Sequence, residues 1–148
     1  MLKIPPPVWA LIYVLVSLVI SWQLGWPDLP GMPLRWLGIA LALVPWALPV
    51  WAATVFRRAG TEINPVSPTN RALVVDGPYR YTRNPMYLGL VLVALGIAVA
   101  VGAWPMFLAP IAVFATTNWV HIPFEEAKMR RQFGAAFDAY TSRVRRWI

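Results

Sequence analysis

The stretch that most limits the possible folds is residues 86–122, thirty-seven consecutive positions without a formally charged side chain. A transmembrane helix needs about 20 mainly apolar residues, so this run is too long for one span and fits two. The sequence Gly102-Ala-Trp-Pro105 lies in its middle, and glycine followed by proline is typical of a turn. We therefore predict a helical hairpin with spans at residues 86–102 and 104–122.

Two more apolar runs precede this hairpin and predict two more spans, at residues 8–24 and 36–56. The glycines and prolines between them predict a turn. A cleaved signal peptide is the alternative for the first run, although no small-residue cleavage pattern follows it. Pro45 and Pro49 interrupt the second span, where each removes a backbone donor and favours a bend. Such a bend serves either helix packing or a ligand, and both interpretations stay open.

Composition and charge favour a membrane protein over a soluble one. Hydrophobic residues make up 59% of the 148 residues and charged residues 13%, against about 25% charged residues in an average soluble domain. The formal net charge of +7 arises from basic residues beside the apolar runs, as is typical of membrane-helix flanks. We therefore expect no nucleic-acid partner. The lack of cysteine, the single histidine and the few carboxylates argue against a metal site.

The distribution of arginine predicts the topology. Residues 57–85, here called the central loop, carry five arginines, and residues 123–148 carry five arginines and one lysine. Because cytoplasmic segments are enriched in these residues, we expect both segments and the N-terminus to be cytoplasmic. The predicted fold is an all-α membrane protein, a single domain of residues 1–148 with about four transmembrane helices. A bacterial inner membrane is the expected location.

Residues 123–148 predict an amphipathic helix lying on the membrane face, with basic side chains on its polar side. We expect Gly134 to divide this helix into two pieces. Its apolar residues recur at spacings of three and four, which is a helical stripe. The stripe consists of Phe133, Phe137, Tyr140, Val144 and Trp147.

The central loop concentrates polar and aromatic groups around two turn signals, at residues 76–78 and 84–85. Taken singly, its arginines and tyrosines are explained as positive flanks and interfacial anchors. Their crowding into one turn-rich segment indicates a binding site. The residues concerned are Arg71, Arg80, Arg83, Tyr79, Tyr81 and Tyr87.

A pair of glutamates marks the start of the C-terminal region. We expect Pro123 to begin a new helix, which places Glu125 and Glu126 in its first turn. The pair either compensates the helix dipole or meets a loop arginine or a cationic ligand, since a carboxylate at a membrane boundary is costly to bury alone. His121 lies one turn earlier, and a structural role is the simpler interpretation for a single interfacial histidine. The glycine-rich dinucleotide, serine-hydrolase and zinc-protease motifs do not occur.

A distinctive order of motifs extends over the second half of the chain. It consists of Leu73-Val-Val-Asp-Gly-Pro-Tyr-Arg-Tyr-Thr-Arg-Asn-Pro-Met-Tyr-Leu-Gly89, the apolar hairpin, Glu125-Glu126, Phe133-Gly134, Tyr140 and Val144-Arg-Arg146. This order resembles the integral-membrane methyltransferases, which include isoprenylcysteine carboxyl methyltransferase and the phospholipid N-methyltransferases. The resemblance covers residues 56–148 and is nearest to short bacterial proteins of the isoprenylcysteine methyltransferase type.

The resemblance implies S-adenosyl-L-methionine as the cofactor, held by the central loop and the C-terminal glutamate. It also makes Arg83 and His121 candidates for catalysis. Asn84 stands where the family has histidine, and His121 stands where the eukaryotic carboxyl methyltransferases have an arginine associated with the substrate. The implied cofactor-binding residues are Asn64, Leu73, Val74, Tyr79, Asn84, Pro85, Met86, Tyr87 and Glu125.

The activity implied by the resemblance is methyl transfer to a small lipophilic acceptor that enters from the bilayer, with an isoprenylcysteine-like carboxylate as one candidate. A phospholipid-headgroup N-methyltransferase and a non-catalytic membrane binding subunit are the alternatives. In-line displacement at a sulfonium needs mainly positioning and a dry site. Glu125 suits the cofactor's ammonium group, and Tyr79 and Tyr87 suit its adenine. Membrane lipids are the expected partners.

Overall fold

The computed structural model of the protein describes residues 4–29, 34–61 and 70–148. Its α-helices are α1 (Pro6–Gln23), α2 (Arg35–Leu43), α3 (Ala47–Arg58), α4 (Pro85–Val101), α5 (Leu108–Thr116), α6 (Ile122–Phe133) and α7 (Ala135–Thr141). Three 3₁₀ turns occur at Val44–Trp46, Gly77–Arg80 and Trp104–Phe107, and a π-helical turn occurs at Thr117–His121.

Four apolar helical stretches correspond to the four predicted spans. Pro6–Gln23, Arg35–Arg58 and Trp104–Phe133 are each long and apolar enough to cross a membrane. Pro85–Val101 is also apolar and has 17 residues, which is the lower end of the range for a spanning helix. The prediction of an all-α membrane fold is confirmed.

The second span changes from an α-helix to a 3₁₀ turn at its prolines, where its sequence predicts a bend. Pro45 lies in the 3₁₀ turn between α2 and α3, and Pro49 lies in the first turn of α3. Helical structure runs from Arg35 to Arg58, and Pro49 has no N–H to donate to the Pro45 carbonyl four residues before it. Trp46 and Pro49 are directed toward the same space.

Glycines allow the second and third spans to pack at very short range. A methyl group on Gly38 or on Gly96 would lie 2.2 Å from a backbone nitrogen of the facing helix. A methyl group on Gly89 would lie 2.7 Å from Cδ of Pro49. The close approach at Gly89 and Gly96 follows the small-residue packing typical of membrane helices.

The fourth span does not end at residue 122, and no separate helix begins at Pro123. Helical structure continues without a break from Trp104 to Phe133 over 30 residues. Pro123 cannot donate to the carbonyl four residues before it, and the preceding π-helical turn accommodates that loss without a break. Thirty helical residues extend about 45 Å, more than the roughly 30 Å of a bilayer core. The helix therefore carries its glutamates past the apolar layer to the central loop.

The two short turns between spans meet at the opposite end of the molecule. The Leu29 amide donates to the Gly102 carbonyl at 2.9 Å, and the Trp104 amide donates to the Pro27 carbonyl at 3.2 Å. Gly102 has a φ of 78°, which glycine adopts at little cost. The short turns thus share one end, and the central loop and C-terminal helices share the other.

The C-terminal region forms two helices, divided at Gly134 as predicted. The predicted helical stripe is also present. Its apolar side was expected to face the lipid, but it contacts the protein instead. Phe137 and Tyr140 are only 4% and 5% exposed. Apolar residues of the central loop and of α3 cover this part of the stripe. The buried cluster formed in this way contains Ala52, Val74, Tyr79, Phe137 and Tyr140.

Candidate functional site

A cavity of about 590 Å³ lies where the central loop meets α6, α7 and the ends of α1 and the second span. Its volume falls within the range of roughly 300–1,000 Å³ found for small-molecule sites. Its wall is mainly apolar and aromatic, which also fits such sites. The charged and amide side chains in the wall are Asn70, Arg83, Asn84, Glu125, Glu126 and Lys128.

The cavity gathers the predicted cofactor-binding residues. Asn64 lies outside the described residues. Of the two catalytic candidates, Arg83 is in the wall and His121 is not. The eight predicted cofactor-binding residues that the structure describes all line the cavity, namely Leu73, Val74, Tyr79, Asn84, Pro85, Met86, Tyr87 and Glu125.

A 3₁₀ turn at Gly77–Arg80 directs Tyr79 into the cavity. Gly77 has a φ of 62°, and a methyl group there would lie 2.8 Å from a Val55 side-chain carbon. Both the positive φ and the close contact favour glycine at this position. Tyr79 packs its ring 5.3 Å from that of Phe56. The Tyr140 hydroxyl donates to the Tyr79 carbonyl at 2.8 Å. Burial raises the pKa of the Tyr79 and Tyr140 phenols, so both remain protonated at neutral pH.

Glu125 faces the cavity, where the Tyr87 hydroxyl donates a hydrogen bond to its Oε1. Pro85 begins α4, because its fixed φ suits a first helical position. Tyr87 therefore lies in the first turn of α4, opposite the carboxylate on α6. Because one of its oxygens accepts this bond, the Glu125 carboxyl group is oriented toward the cavity.

Glu126 also lines the cavity, and it binds two arginines. Its Oε1 lies 2.9 Å from Nη2 of Arg83, and its Oε2 lies 2.7 Å from Nη2 of Arg146. Consecutive helical residues point about 100° apart, which explains why two adjacent glutamates have separate environments. We call Arg83, Glu126 and Arg146 the arginine–glutamate cluster. One alternative from the sequence was that a loop arginine contacts the glutamate pair. Arg83 forms this contact with Glu126.

Arg83 is held by groups of the protein itself. Beside the Glu126 carboxylate, its Nη1 donates to the carbonyls of Thr141 at 3.1 Å and Val144 at 2.7 Å. The backbone amide of Arg83 donates to the Arg145 carbonyl at 3.0 Å. These bonds join the central loop to residues 141–147, here called the C-terminal segment. Arg83 therefore holds the C-terminal segment against the central loop.

His121 lies behind the cavity wall instead of in it. Its side chain is 3% exposed and borders a narrow space between α1 and α5. Its ring centroid is 6.2 Å from that of Tyr87. The histidine therefore packs against a wall residue, and a contact with a ligand in the cavity would have to pass through Tyr87.

A comparison with protein-family models matches residues 34–136 to the phospholipid methyltransferase family. The chain belongs to this family. The match covers more than half of the chain, from the start of the second span to the first turn of α7. Neither a search of the curated proteins nor a search of the solved structures gave a match.

The phospholipid methyltransferase family consists of membrane methyltransferases, and its members generally use S-adenosylmethionine. The residues of this cavity fit that group. A carboxylate, that of Glu125, is available for an ammonium group. Aromatic rings of Phe56, Tyr79 and Tyr87 offer flat apolar walls for a purine. The observed cavity thus has both kinds of contact that a nucleoside carrying an amino acid needs.

Several wall residues of this family member escaped the sequence analysis. Phe137 and Tyr140 belonged to the stripe assigned to the membrane face, and their helical spacing was the signal for burial of some kind. Pro49 belonged to the bend, for which a ligand was one of the two interpretations. The first turn of α1 and Lys128 had no signal in the sequence. The wall residues that were not predicted to bind the cofactor or to act in catalysis are Pro5, Pro6, Pro7, Trp46, Pro49, Phe56, Asn70, Ala72, Leu90, Glu126, Lys128, Met129, Phe137 and Tyr140.

Proposed function

We propose that this protein is an S-adenosylmethionine-dependent methyltransferase that methylates a lipophilic acceptor reaching the cavity from the bilayer. The observation that supports it best is the convergence of the eight described cofactor-binding residues on one cavity of about 590 Å³. Seven of these residues lie between Leu73 and Tyr87, and Glu125 lies 38 residues beyond Tyr87, on α6. The fold brings these two parts of the chain to the same cavity.

The residues of the wall have defined tasks in this proposal. When bound, the cofactor supplies an electrophilic methyl group on a sulfonium. Glu125 binds the cationic amino group, and Tyr87 fixes the direction of that carboxylate through its hydroxyl. Phe56 and Tyr79 pack against the adenine. The apolar wall excludes water, which strengthens these contacts and prevents hydrolysis. An acceptor with a free lone pair then needs only correct placement for in-line attack.

The apolar end of the cavity supports entry of the acceptor from the membrane. Trp46 and Pro49 from the bend of the second span line it together with Leu90 of α4 and the prolines that begin α1. All of these residues belong to helices that are apolar enough to lie in lipid. A hydrocarbon chain can therefore lie between the helices while its polar group reaches the loop side of the cavity.

The contacts of Arg83 and His121 favour an amine over a carboxylate as the group that is methylated. Arg83 is engaged by Glu126 and by two carbonyls. His121 lies outside the cavity wall. Neither is placed to bind a substrate carboxylate. Aromatic walls accommodate a cationic headgroup amine, which must lose a proton to a nearby base before its lone pair attacks the methyl group. A phospholipid-headgroup amine is thus the stronger candidate acceptor, and an isoprenylcysteine-like carboxylate is the second.

The direct test is methyl transfer by the purified protein in lipid nanodiscs, with S-adenosylmethionine labelled in its methyl group. Phosphatidylethanolamine and a farnesylcysteine analogue are supplied in parallel, and the lipid extract is separated and counted. Label in the phospholipid headgroup, absent with Glu125→Gln, is the expected result. Label only in the cysteine ester would reverse the choice of acceptor. Binding of S-adenosylhomocysteine without label in either product would favour the non-catalytic binding subunit.

The sidedness of the site also belongs to this proposal, and arginine distribution supports it. The central loop and the C-terminal helices lie at one end of the bundle, and both short turns lie at the other. Reporter fusions after Asn70 and after the C-terminus should be cytoplasmic, and fusions after Gly31 and Gly102 should lie outside. A cytoplasmic reporter at Gly102 would contradict the orientation.

A further inference from the structure

Arg146 is bound at both its side chain and its backbone. Its Nη2 lies 2.7 Å from Oε2 of Glu126, and its Nη1 lies 3.5 Å from Oδ1 of Asn118. Its carbonyl accepts hydrogen bonds from Nδ2 of Asn84 at 2.9 Å and from the Thr82 hydroxyl at 3.2 Å. One residue of the C-terminal segment therefore joins the fourth span to the central loop.

Two of the residues that Arg146 contacts, Asn84 and Glu126, belong to the cavity wall. Asn84 precedes Pro85, Met86 and Tyr87, all of which face the cavity. Glu126 follows Glu125 on the same helix. Arg146 itself is not part of the cavity lining. Any effect of Arg146 on a bound molecule must therefore pass through the residues that it holds.

We propose that Arg146 is a positioning residue for the cofactor cavity, an inference that rests on the proposed function. It keeps the C-terminal segment against the central loop, and this contact fixes the direction of the wall residues on both sides. The Tyr140 hydroxyl, which supports Tyr79 through its carbonyl, depends on the same placement of the segment.

Arg146 also sets the charge that the cavity presents. With two arginines beside it, Glu126 is neutralised, and Glu125 is the carboxylate of the pair that remains for a cationic group. Without Arg146, Glu126 keeps Arg83 alone and gains freedom to turn. An ammonium group would then meet two carboxylates in variable positions in place of one fixed carboxylate.

The test compares three variants by calorimetry with S-adenosylhomocysteine and by hydrogen exchange of the loop amides. Arg146→Met retains the stem and loses the charge, so affinity should fall about 5- to 20-fold and exchange at residues 73–81 should increase. Arg146→Lys retains the charge but lacks the planar fork that meets both carboxylate oxygens, so it should recover part of the affinity. Arg143→Met, an exposed neighbour in the same part of the chain, should remain within about twofold of the unaltered protein.

The outcomes separate this inference from the function on which it rests. Unchanged affinity in Arg146→Met, with faster exchange in the C-terminal segment, would show that the segment can loosen without affecting the cavity and would overturn the positioning role. Failure of the unaltered protein to bind S-adenosylhomocysteine would overturn the proposed function itself. If Arg146→Met does not fold, Arg146→Lys decides the matter: affinity equal to that of the unaltered protein would contradict the inference.

Discussion

Glu125 and Glu126 are adjacent on α6 but have different surroundings. Glu125 accepts a hydrogen bond from Tyr87 and faces the cavity. Glu126 forms ion pairs at 2.9 Å and 2.7 Å with Arg83 and Arg146. One carboxyl group is bound to a tyrosine of the cavity wall, and the other joins the loop to the C-terminal segment.

This difference shows that the direction in which the helix points each side chain decides which groups it contacts. The two side chains share a sequence context, a helix turn and a charge, but they point about 100° apart. The arginines on one side of α6 take up the carboxylate that faces them. The comparison therefore predicts that loss of Glu126 acts mainly on stability, with a smaller effect on binding through Arg146, and that loss of Glu125 acts mainly on binding.

The largest effect is expected from Glu126→Gln. The change removes the negative charge and leaves Arg83 beside a neutral amide. The two side chains of this ion pair are only about 15% exposed. Breaking a buried pair by removing one partner costs about 3 kcal/mol, which we expect as the loss of unfolding free energy. Denaturant titration in detergent micelles measures it. A loss of unfolding free energy smaller than that expected for an exposed ion pair would contradict the structural role of the arginine–glutamate cluster.

The next effect is a loss of cofactor affinity in Glu125→Gln, which keeps the shape and removes the charge. A charge-assisted hydrogen bond is worth roughly 1.5–3 kcal/mol, so binding of S-adenosylhomocysteine should weaken about 10- to 150-fold. Stability should change little, since no arginine is paired with Glu125 in the described structure. Calorimetry on Glu125→Gln beside Glu126→Gln sharpens the comparison. Equal, near-native affinities in both would remove Glu125 from the site.

A smaller effect is expected from Tyr87→Phe, which removes the donor that orients Glu125. The carboxylate itself remains, so only its direction is lost, and we expect about 1 kcal/mol, or roughly fivefold, in affinity. The double variant with Glu125→Gln should bind no more weakly than Glu125→Gln alone. Additive losses would show that the phenol contacts the ligand independently of Glu125.

The smallest effect is expected from Asp138→Asn. Its ion pair with Arg130 has a distance of 2.9 Å, but both side chains are more than half exposed. Exposed pairs contribute little, so unfolding free energy should change by about 0.5 kcal/mol or less and affinity should be unchanged. This variant supplies the baseline for the Glu126 measurement, because both remove one carboxylate from the C-terminal helices.

The sequence predicted the spans because they depend on local patterns, and the resemblance to the membrane methyltransferases supplied the wall residues between Leu73 and Tyr87 and Glu125. Charge-free runs define membrane helices almost by themselves, and the turn residues from Asp76 to Pro85 fix the loop backbone. The break at Gly134 followed from its place within a helical stripe. These features need no knowledge of which elements pack together.

The rest depends on contacts between segments distant in the chain. The stripe containing Phe137 and Tyr140 had two apolar partners available, lipid and the central loop, and periodicity alone does not distinguish them. Pro123 was expected to begin a helix, since the sequence does not show that a π-helical turn precedes it. The position of His121 behind Tyr87 depends on the same turn, because it rotates the helix at that residue. The role of His121 as a catalytic group stays a prediction.

The paired short turns have a consequence for how the bundle can move. Backbone hydrogen bonds tie the turn after α1 to the turn after α4 at one end of the molecule. That end is a natural pivot, and displacement of a helix grows with distance from it. A helix of 18 residues is about 27 Å long, so a tilt of roughly 5° shifts its free end by about 2 Å. The cavity lies at that free end, where a small change of tilt widens the gap between helices most while the pivot stays closed.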